Sequence, residues 1–264
     1  MKRWRRGLLT SSLALLVMGC ATYVNPLTGR TESVLIPTSQ EIVLGRMAAA
    51  QLQQETLLAP RPAPAMVHRV EQIGQRIAAV ADRRDVTYQY HVIQDKAINA
   101  FTMLGGDVYV FSGLVSRCTD DELACVLAHE TGHVVERHGV KALQAQWGYD
   151  VVTQAAFGGR ATAATQVLDT MFMLVSRGYS REHELQADAL AIRYAARAGF
   201  DPHGMVTFLQ ALQRETGEGP LAHLTVYLQT HPLYRDRIAQ AEAEIARLAS
   251  APSAAPRATE VTTR

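Results

Sequence analysis

Thr119-Asp120-Asp121-Glu122-Leu123-Ala124-Cys125-Val126-Leu127-Ala128-His129-Glu130-Thr131-Gly132-His133 is the stretch on which the reading of this chain turns. It opens as a capping box, with a Thr119 hydroxyl to accept from the third helical position and Glu122 to reach back to the cap. Leu123 to Ala128 are apolar around most of a helix, which places that helix inside a core. His129 and His133 then stand at i and i+4 on one face, close enough for both imidazoles to reach one tetrahedral zinc, with Glu130 beside them as a base for water.

His-Glu-x-x-His fixes only three positions, and a zinc centre needs a third protein ligand. Ser180-Arg181-Glu182-His183-Glu184-Leu185-Gln186-Ala187-Asp188 begins a later helix on which Glu184 and Asp188 share a face. One of these carboxylates can bind the metal while the other accepts from a ligand histidine and fixes its tautomer. Taken alone, the pair would equally suit a solvated, charged helix start. His138 does not have the spacing of a third histidine ligand, and reads as a helix-end residue against the C-terminal dipole.

Outward from the motif the pattern is helical on both sides of a short β region. Val86, Tyr88, Tyr90 and Val92 alternate, Ala97 to Met103 forms a second segment and Asp107 to Phe111 a third, with Gly105-Gly106 as the turn between the last two. Before them, one helix is expected from a Ser39 cap and a second through Val67, Val70, Ile73, Ile77 and Val80. After them, helices are expected over 120–138, 140–156, 162–177, 181–198, 203–214 and 233–248. The fold class is therefore α+β, mostly helical, with a small sheet beside the motif helix. Residues 39–249 form one domain, no internal repeat suggests a solenoid, and the Ala/Pro/Thr-rich tail 250–264 reads as disordered.

Lys2-Arg3-Trp4-Arg5-Arg6 followed by the short apolar run Leu8 to Val17 reads as a signal peptide over 1–19, and Gly19-Cys20 resembles the cleavage site of a bacterial lipoprotein. Cys20 is then the lipidated residue, Ala21 is not the aspartate associated with inner-membrane retention, and 20–38 is a lipidated N-terminal linker. Without residues 1–19 the chain carries 22 basic against 25 acidic residues, so nucleic acid is not an expected partner. Cys118 and Cys125 are too few and too poorly spaced for a disulfide framework and read as buried thiols.

Together these features resemble the gluzincin metallopeptidase family that includes HtpX and the CaaX prenyl proteases, in its periplasmic lipoprotein branch similar to the β-barrel assembly-enhancing protease. The resemblance is carried by Asn25-Pro26-Leu27-Thr28-Gly29-Arg30, Asn99-Ala100-Phe101, Gly105-Gly106, Gly113-Leu114, Asp121 to Ala124 leading into His129-Glu130-x-x-His133, and Arg181-x-x-Glu184-x-x-Ala187-Asp188. Leu104 departs from it, standing where many members have Pro. The resemblance implies a zincin-like domain, one Zn2+ held by His129, His133 and Glu184, Glu130 as base, and Asp188 in support. Thr230-His231-Pro232 and Arg237 also match. We expect His231 to occupy the open metal position in a latent state and to stabilise the oxyanion once released, with Arg237 close by among the catalytic residues.

The expected activity is endoproteolysis of unfolded or misassembled outer-membrane and periplasmic proteins by an enzyme lipid-anchored to the periplasmic side of the outer membrane. The barrel-assembly machinery is a candidate partner. The alternative is a zinc-binding lipoprotein that holds such proteins uncut, against which an intact Glu130 argues. Gly105, Gly106, Asp107, Val108 and Tyr109 are expected to line an edge strand that pairs with substrate backbone, although Val108, Val110 and Phe111 also suit a core strand. The interval 144–178 is expected either to plug the site or grip an apolar partner, or to be helical core.

Overall fold

The computed structural model describes residues 21–55, 60–145, 178–216, 227–232 and 236–250. The expected signal peptide, Cys20, most of the interval 144–178 and the tail after Ser250 lie outside the described residues. In chain order the elements are β1 (Ala21–Val24), β2 (Thr31–Val34), α1 (Thr38–Glu55), α2 (Pro64–Val80), β3 (Gln89–Ile93), β4 (Ala100–Thr102), a 3-10 turn (Leu104–Gly106), β5 (Asp107–Phe111), α3 (Ser112–Val115) and α4 (Asp120–Val135). A helix α5 over 138–145 follows, then α6 (Arg181–Arg197), α7 (His203–Thr216) and α8 (Arg237–Ser250). The mostly helical α+β expectation is correct.

The α4 capping box forms with both of its reciprocal bonds, a motif worth on the order of 1 kcal/mol. Every residue of α4 from Leu123 to Val135 is buried. This is why its sequence lacks a polar stripe: α2, α6 and α7 pack around it and β4 and β5 lie against it. Pro64 sits in the first turn of α2, where a missing N–H costs nothing.

The three-stranded sheet has the order β3-β5-β4, with β5 parallel to β3 and antiparallel to β4. β5 is thus the central strand. Val108 and Val110 face the main core, while Tyr109 faces a second core shared with Phe101, Leu44, Val34 and Val140. Burial on both faces explains its apolar, non-alternating sequence. The expectation of an edge strand at Gly105 to Tyr109 is therefore corrected: the backbone of β5 is already paired on both sides. Gly105 has φ +83° and Gly106 φ +112°, and a Cβ on Gly106 would lie 2.5 Å from the Thr87 carbonyl oxygen, so this pair serves chain reversal and close packing.

Residues 20–38 also differ from expectation. Instead of an extended linker, the described part is a β-hairpin, with Ala21 opposite Val34 and Val24 opposite Thr31, packed into the second core through Val34 and Ile36. Its turn is built by Asn25, whose Oδ1 accepts from Leu27 N (2.9 Å) and Thr28 N (3.0 Å), with Gly29 at positive φ. The breaker residues that read as a linker are the turn of a folded hairpin. Asn25 Nδ2 also donates to Glu32 Oε1 and to Glu136 Oε2, each at 2.7 Å. The hairpin is thereby fastened to the segment that follows α4. A second fastening is ionic: buried Arg83 makes a two-pronged pair with Glu41 of α1 (2.9 and 2.7 Å) and donates to the Val134 carbonyl (2.8 Å), while Arg137 donates to Glu41 at 2.9 Å.

Burial pushes the Glu136 carboxyl up to about 7, against the pull of Lys141. The folded-state value lies above the ordinary one of 4.5, so the Glu136 contribution to stability is complete below about pH 4.5 and lost as pH rises through 7. We expect Glu136→Gln, which keeps an acceptor for Asn25, to flatten this part of the pH dependence. Urea midpoints of wild type and variant at pH 5 and pH 8 measure it; equal losses in both would show that Glu136 does not carry the slope.

Candidate metal centre and active site

His129 and His133 lie on the buried second half of α4, and Glu184 and Asp188 on the first half of α6. The two helices make the most extensive contact between described elements because Gly132 has no side chain: a Cβ there would lie 3.2 Å from the Ala187 Cα and 3.3 Å from the Leu190 Cβ. Ser180 caps α6 by accepting from His183 N at 3.3 Å, which starts that helix one turn before Glu184.

The donor atoms converge. His129 Nε2 is 3.0 Å from His133 Nε2, and Glu184 Oε2 and Oε1 lie 3.6 and 3.5 Å from these two nitrogens. His231 Nδ1 joins them at 3.2 Å from His129 Nε2 and 3.1 Å from Glu184 Oε1. One ligand atom from each of the four side chains falls within 4.8 Å of all the others, and all four residues are buried. Tetrahedral zinc with bonds of about 2.0–2.1 Å needs donor separations of roughly 3.3 Å, which this set approaches. The chemistry of the donors also fits: two imidazole lone pairs directed at one point beside a carboxylate repel one another until a cation lies between them.

Burial and the neighbouring charges set the protonation of the converging side chains. Burial takes the His133 imidazole down to about 3, so it is neutral at physiological pH. Burial alone would raise Glu184, but His231 and Arg237 outweigh it and hold the carboxyl well below its ordinary range. Asp188 is likewise depressed, burial being overcome by Arg237. Burial raises Glu130, with His231 pulling the other way. Burial would lower His231, yet Glu184 and Glu130 hold it up. Glu130 Oε1 stands 3.2 Å from His231 Nε2, and Glu130 Oε2 has no hydrogen-bond partner among the described residues. A buried carboxylate oxygen left without a protein partner is uncommon and marks this residue for chemistry.

The sequence-derived residues His129, Glu130, His133, Glu184, Asp188, His231 and Arg237 all meet here. Asp188 Oδ1 stands 2.9 Å from His129 Nδ1, where a supporting carboxylate was expected, in an ion-pair contact outside hydrogen-bond alignment. Arg237 is reassigned. It grips Asp188 through Nε and Nη2 at 2.7 Å each, pairs with Glu184 at 2.8 Å and donates to the Pro232 carbonyl at 3.2 Å. It holds the carboxylates in place from behind and is a positioning residue. Gly105 to Tyr109 are engaged elsewhere, with Asp107 bound to His91 at 2.7 Å. The sheet edge that meets the site is β4, whose Ala100 carbonyl lies 3.4 Å from His231 Nε2.

His138 is a second reassignment. It is buried, and its Nδ1 lies 2.9 Å from His133 Nδ1, so it belongs to the site and not to a helix-end dipole. The cause is a break in the helix: Arg137 adopts φ +54°, and the chain turns so that α5 begins with His138 facing back toward His133. No glycine marks this left-handed position, and an unbroken helix through 138 was therefore the natural reading. Tyr179, also missed, stacks on His133 with ring centres 4.0 Å apart.

A family model described as peptidase family M48 matches residues 64–245, a span that includes every site residue named above. The chain belongs to peptidase family M48. Among M48 relatives, the mitochondrial metalloendopeptidase OMA1 of Schizosaccharomyces pombe is 31% identical over 66% of this chain and 51% of its own length. The β-barrel assembly-enhancing protease of Escherichia coli K12 is 29% identical over 82% of this chain and 46% of its own length. The mitochondrial OMA1 of Bos taurus is 28% identical over 89% of this chain and 49% of its own length. The chain thus spans about half the length of these relatives.

Removing Arg237 would take from two buried carboxylates the guanidinium they share and leave them with histidine neighbours alone. We expect Arg237→Leu to cost on the order of 3–5 kcal/mol in the metal-free protein, read by chemical denaturation. Asp188→Asn combined with Arg237→Leu should be less damaging than the sum of the two single changes; strict additivity would exclude the coupling.

Proposed function

We propose that this chain is a zinc-dependent endopeptidase of the bacterial periplasm, held to the outer membrane by a lipid on Cys20, that hydrolyses unfolded or misassembled envelope proteins. The observation that carries the reading is the convergence of His129, His133 and Glu184 on one point with the carboxylate of Glu130 beside it. The envelope assignment is supported by the basic and apolar N-terminal sequence ahead of Cys20 and by the relatives named β-barrel assembly-enhancing protease. No helix among the described residues is long and apolar enough to cross a membrane, which fits attachment through a lipid.

His129, His133 and Glu184 would hold the zinc. When bound, it supplies a Lewis acid for the scissile carbonyl and lowers the pKa of water toward about 7. Glu130 takes the proton of the attacking water and delivers it to the leaving amine. Its burial raises its proton affinity toward what such a shuttle needs. β4 is an edge of the three-stranded sheet with no further strand beside it among the described residues, and it offers that edge to an extended peptide, a mode of binding that reads backbone more than side chains. Partly unfolded proteins present such segments.

His231 gives the described state its character. It lies within 3.2 Å of His129, Glu184 and Glu130 and reaches the Ala100 carbonyl on the free edge. A substrate strand that pairs with Ala100 would have to displace it, which supports reading this arrangement as a latent one. The released imidazole would then serve as a donor to the developing oxyanion.

The test is degradation of casein by the zinc-loaded mature chain, comparing wild type with Glu130→Gln at equal zinc content. Loss of the base should lower turnover by roughly 10²–10⁴-fold without loss of zinc. Wild type that carries zinc and leaves casein intact, also after His231→Ala, would favour the holding role over cleavage.

A further inference from the structure

The outward nitrogen of a ligand histidine decides whether its inward nitrogen presents a lone pair or a proton. For His129 the outward Nδ1 lies 2.9 Å from the Asp188 carboxylate, whose charge favours a proton on that nitrogen. His133 has a neighbour of a different kind: its Nδ1 meets the Nδ1 of His138 at 2.9 Å. Two imidazoles can make that bond in either direction, and only one direction leaves His133 Nε2 bare. In the other, the Nε2 proton of His133 would point across the 3.0 Å gap to His129 Nε2. The two ligand histidines would then bond to each other in place of a metal.

We propose that Glu182, Gln186 and His138 form a directed chain of hydrogen bonds that holds His133 in its metal-binding tautomer. His138 and Gln186 are then positioning residues for the metal. The inference rests on the reading of His129, His133 and Glu184 as zinc ligands.

The direction follows from the far end. The Glu182 carboxylate accepts at Oε1 from Gln186 Nε2 at 3.3 Å, one turn along α6. With its amide nitrogen turned outward, Gln186 presents Oε1 to His138 Nε2 at 2.9 Å. An amide oxygen only accepts, so His138 Nε2 bears the proton and its Nδ1 carries the lone pair. His133 Nδ1 must then donate, and His133 Nε2 is left bare toward Glu184 and His129. The rings have little freedom to rearrange: His138 stacks on His183 with centres 4.1 Å apart and His133 on Tyr179 at 4.0 Å. The Arg137 turn that brings His138 back to the site thus has a purpose beyond ending a helix.

The test uses the full chain with zinc as the probe. His138→Leu removes the acceptor, His138→Asn restores one at the δ position, and Gln186→Met keeps length and shape without the amide. Zinc Kd is measured by competition with a chromophoric chelator, and the tautomers by long-range 15N–1H correlation in the zinc-loaded wild type. Kd should rise roughly 10–100-fold in His138→Leu and by less in Gln186→Met. It should stay near wild type in His138→Asn, where adding Gln186→Met should change nothing further. The spectrum should show His133 protonated on Nδ1 and His138 on Nε2. A proton on His138 Nδ1, unchanged affinity in His138→Leu, or His138→Asn as weak as His138→Leu would overturn the relay. Gln186 is half-buried on the helix surface, so if His138→Leu fails to fold, its partner variant and the wild-type spectrum decide. A wild type that binds no zinc would instead overturn the metal reading itself.

Discussion

Everything in this molecule depends on how closely α4 and α6 approach at Gly132. A side chain at that position would push the helices apart by a few tenths of an ångström, and with them Glu184 from the two imidazole nitrogens that it approaches within 3.6 Å. The approach crowds like and unlike charges into a buried volume. Arg237 makes this tolerable by pairing with both carboxylates of α6 at once. A buried cation paired in this way adds little net stability by itself. Its value is that Glu184 and Asp188 keep fixed positions and remain charged.

The sheet and hairpin serve this pair of helices from the other side. β5 fills the space against α4 and leaves β4 as the edge beside the site, while the Arg83–Glu41 pair ties the end of α4 to α1. The edge strand and the ligand helix are therefore held in one frame, and their spacing does not depend on a flexible loop.

The parts of this arrangement that were legible in the sequence are those set by local chemistry. The capping box, the apolar turns of α4 and the i, i+4 pairs on α4 and α6 follow from the helical repeat alone, and they name most of the site. What depends on long-range placement was not legible. Strand order cannot be read from a strand, so β5 passed for an edge although its sequence is apolar on both faces. Asn25-Pro26 and Thr28-Gly29 signal a turn equally well in a linker and in a docked hairpin. His138 was hidden by a left-handed Arg137, a conformation that arginine seldom signals. Arg237 could be placed near the site by its match to relatives, but only the folded contacts show that it acts through Asp188 and Glu184.

The Asn25 turn has a mechanical meaning as well. Its amide bridges Glu32 within the hairpin to Glu136, three residues beyond His133. Tension applied to the chain ahead of Ala21 would shear the β1–β2 ladder and, through that amide, load the C-terminal end of α4. The hairpin is in this sense a lever arm that bears on α4 at the end where His129 and His133 stand, through Asn25 and through the Tyr23 hydroxyl on the Glu136 carbonyl.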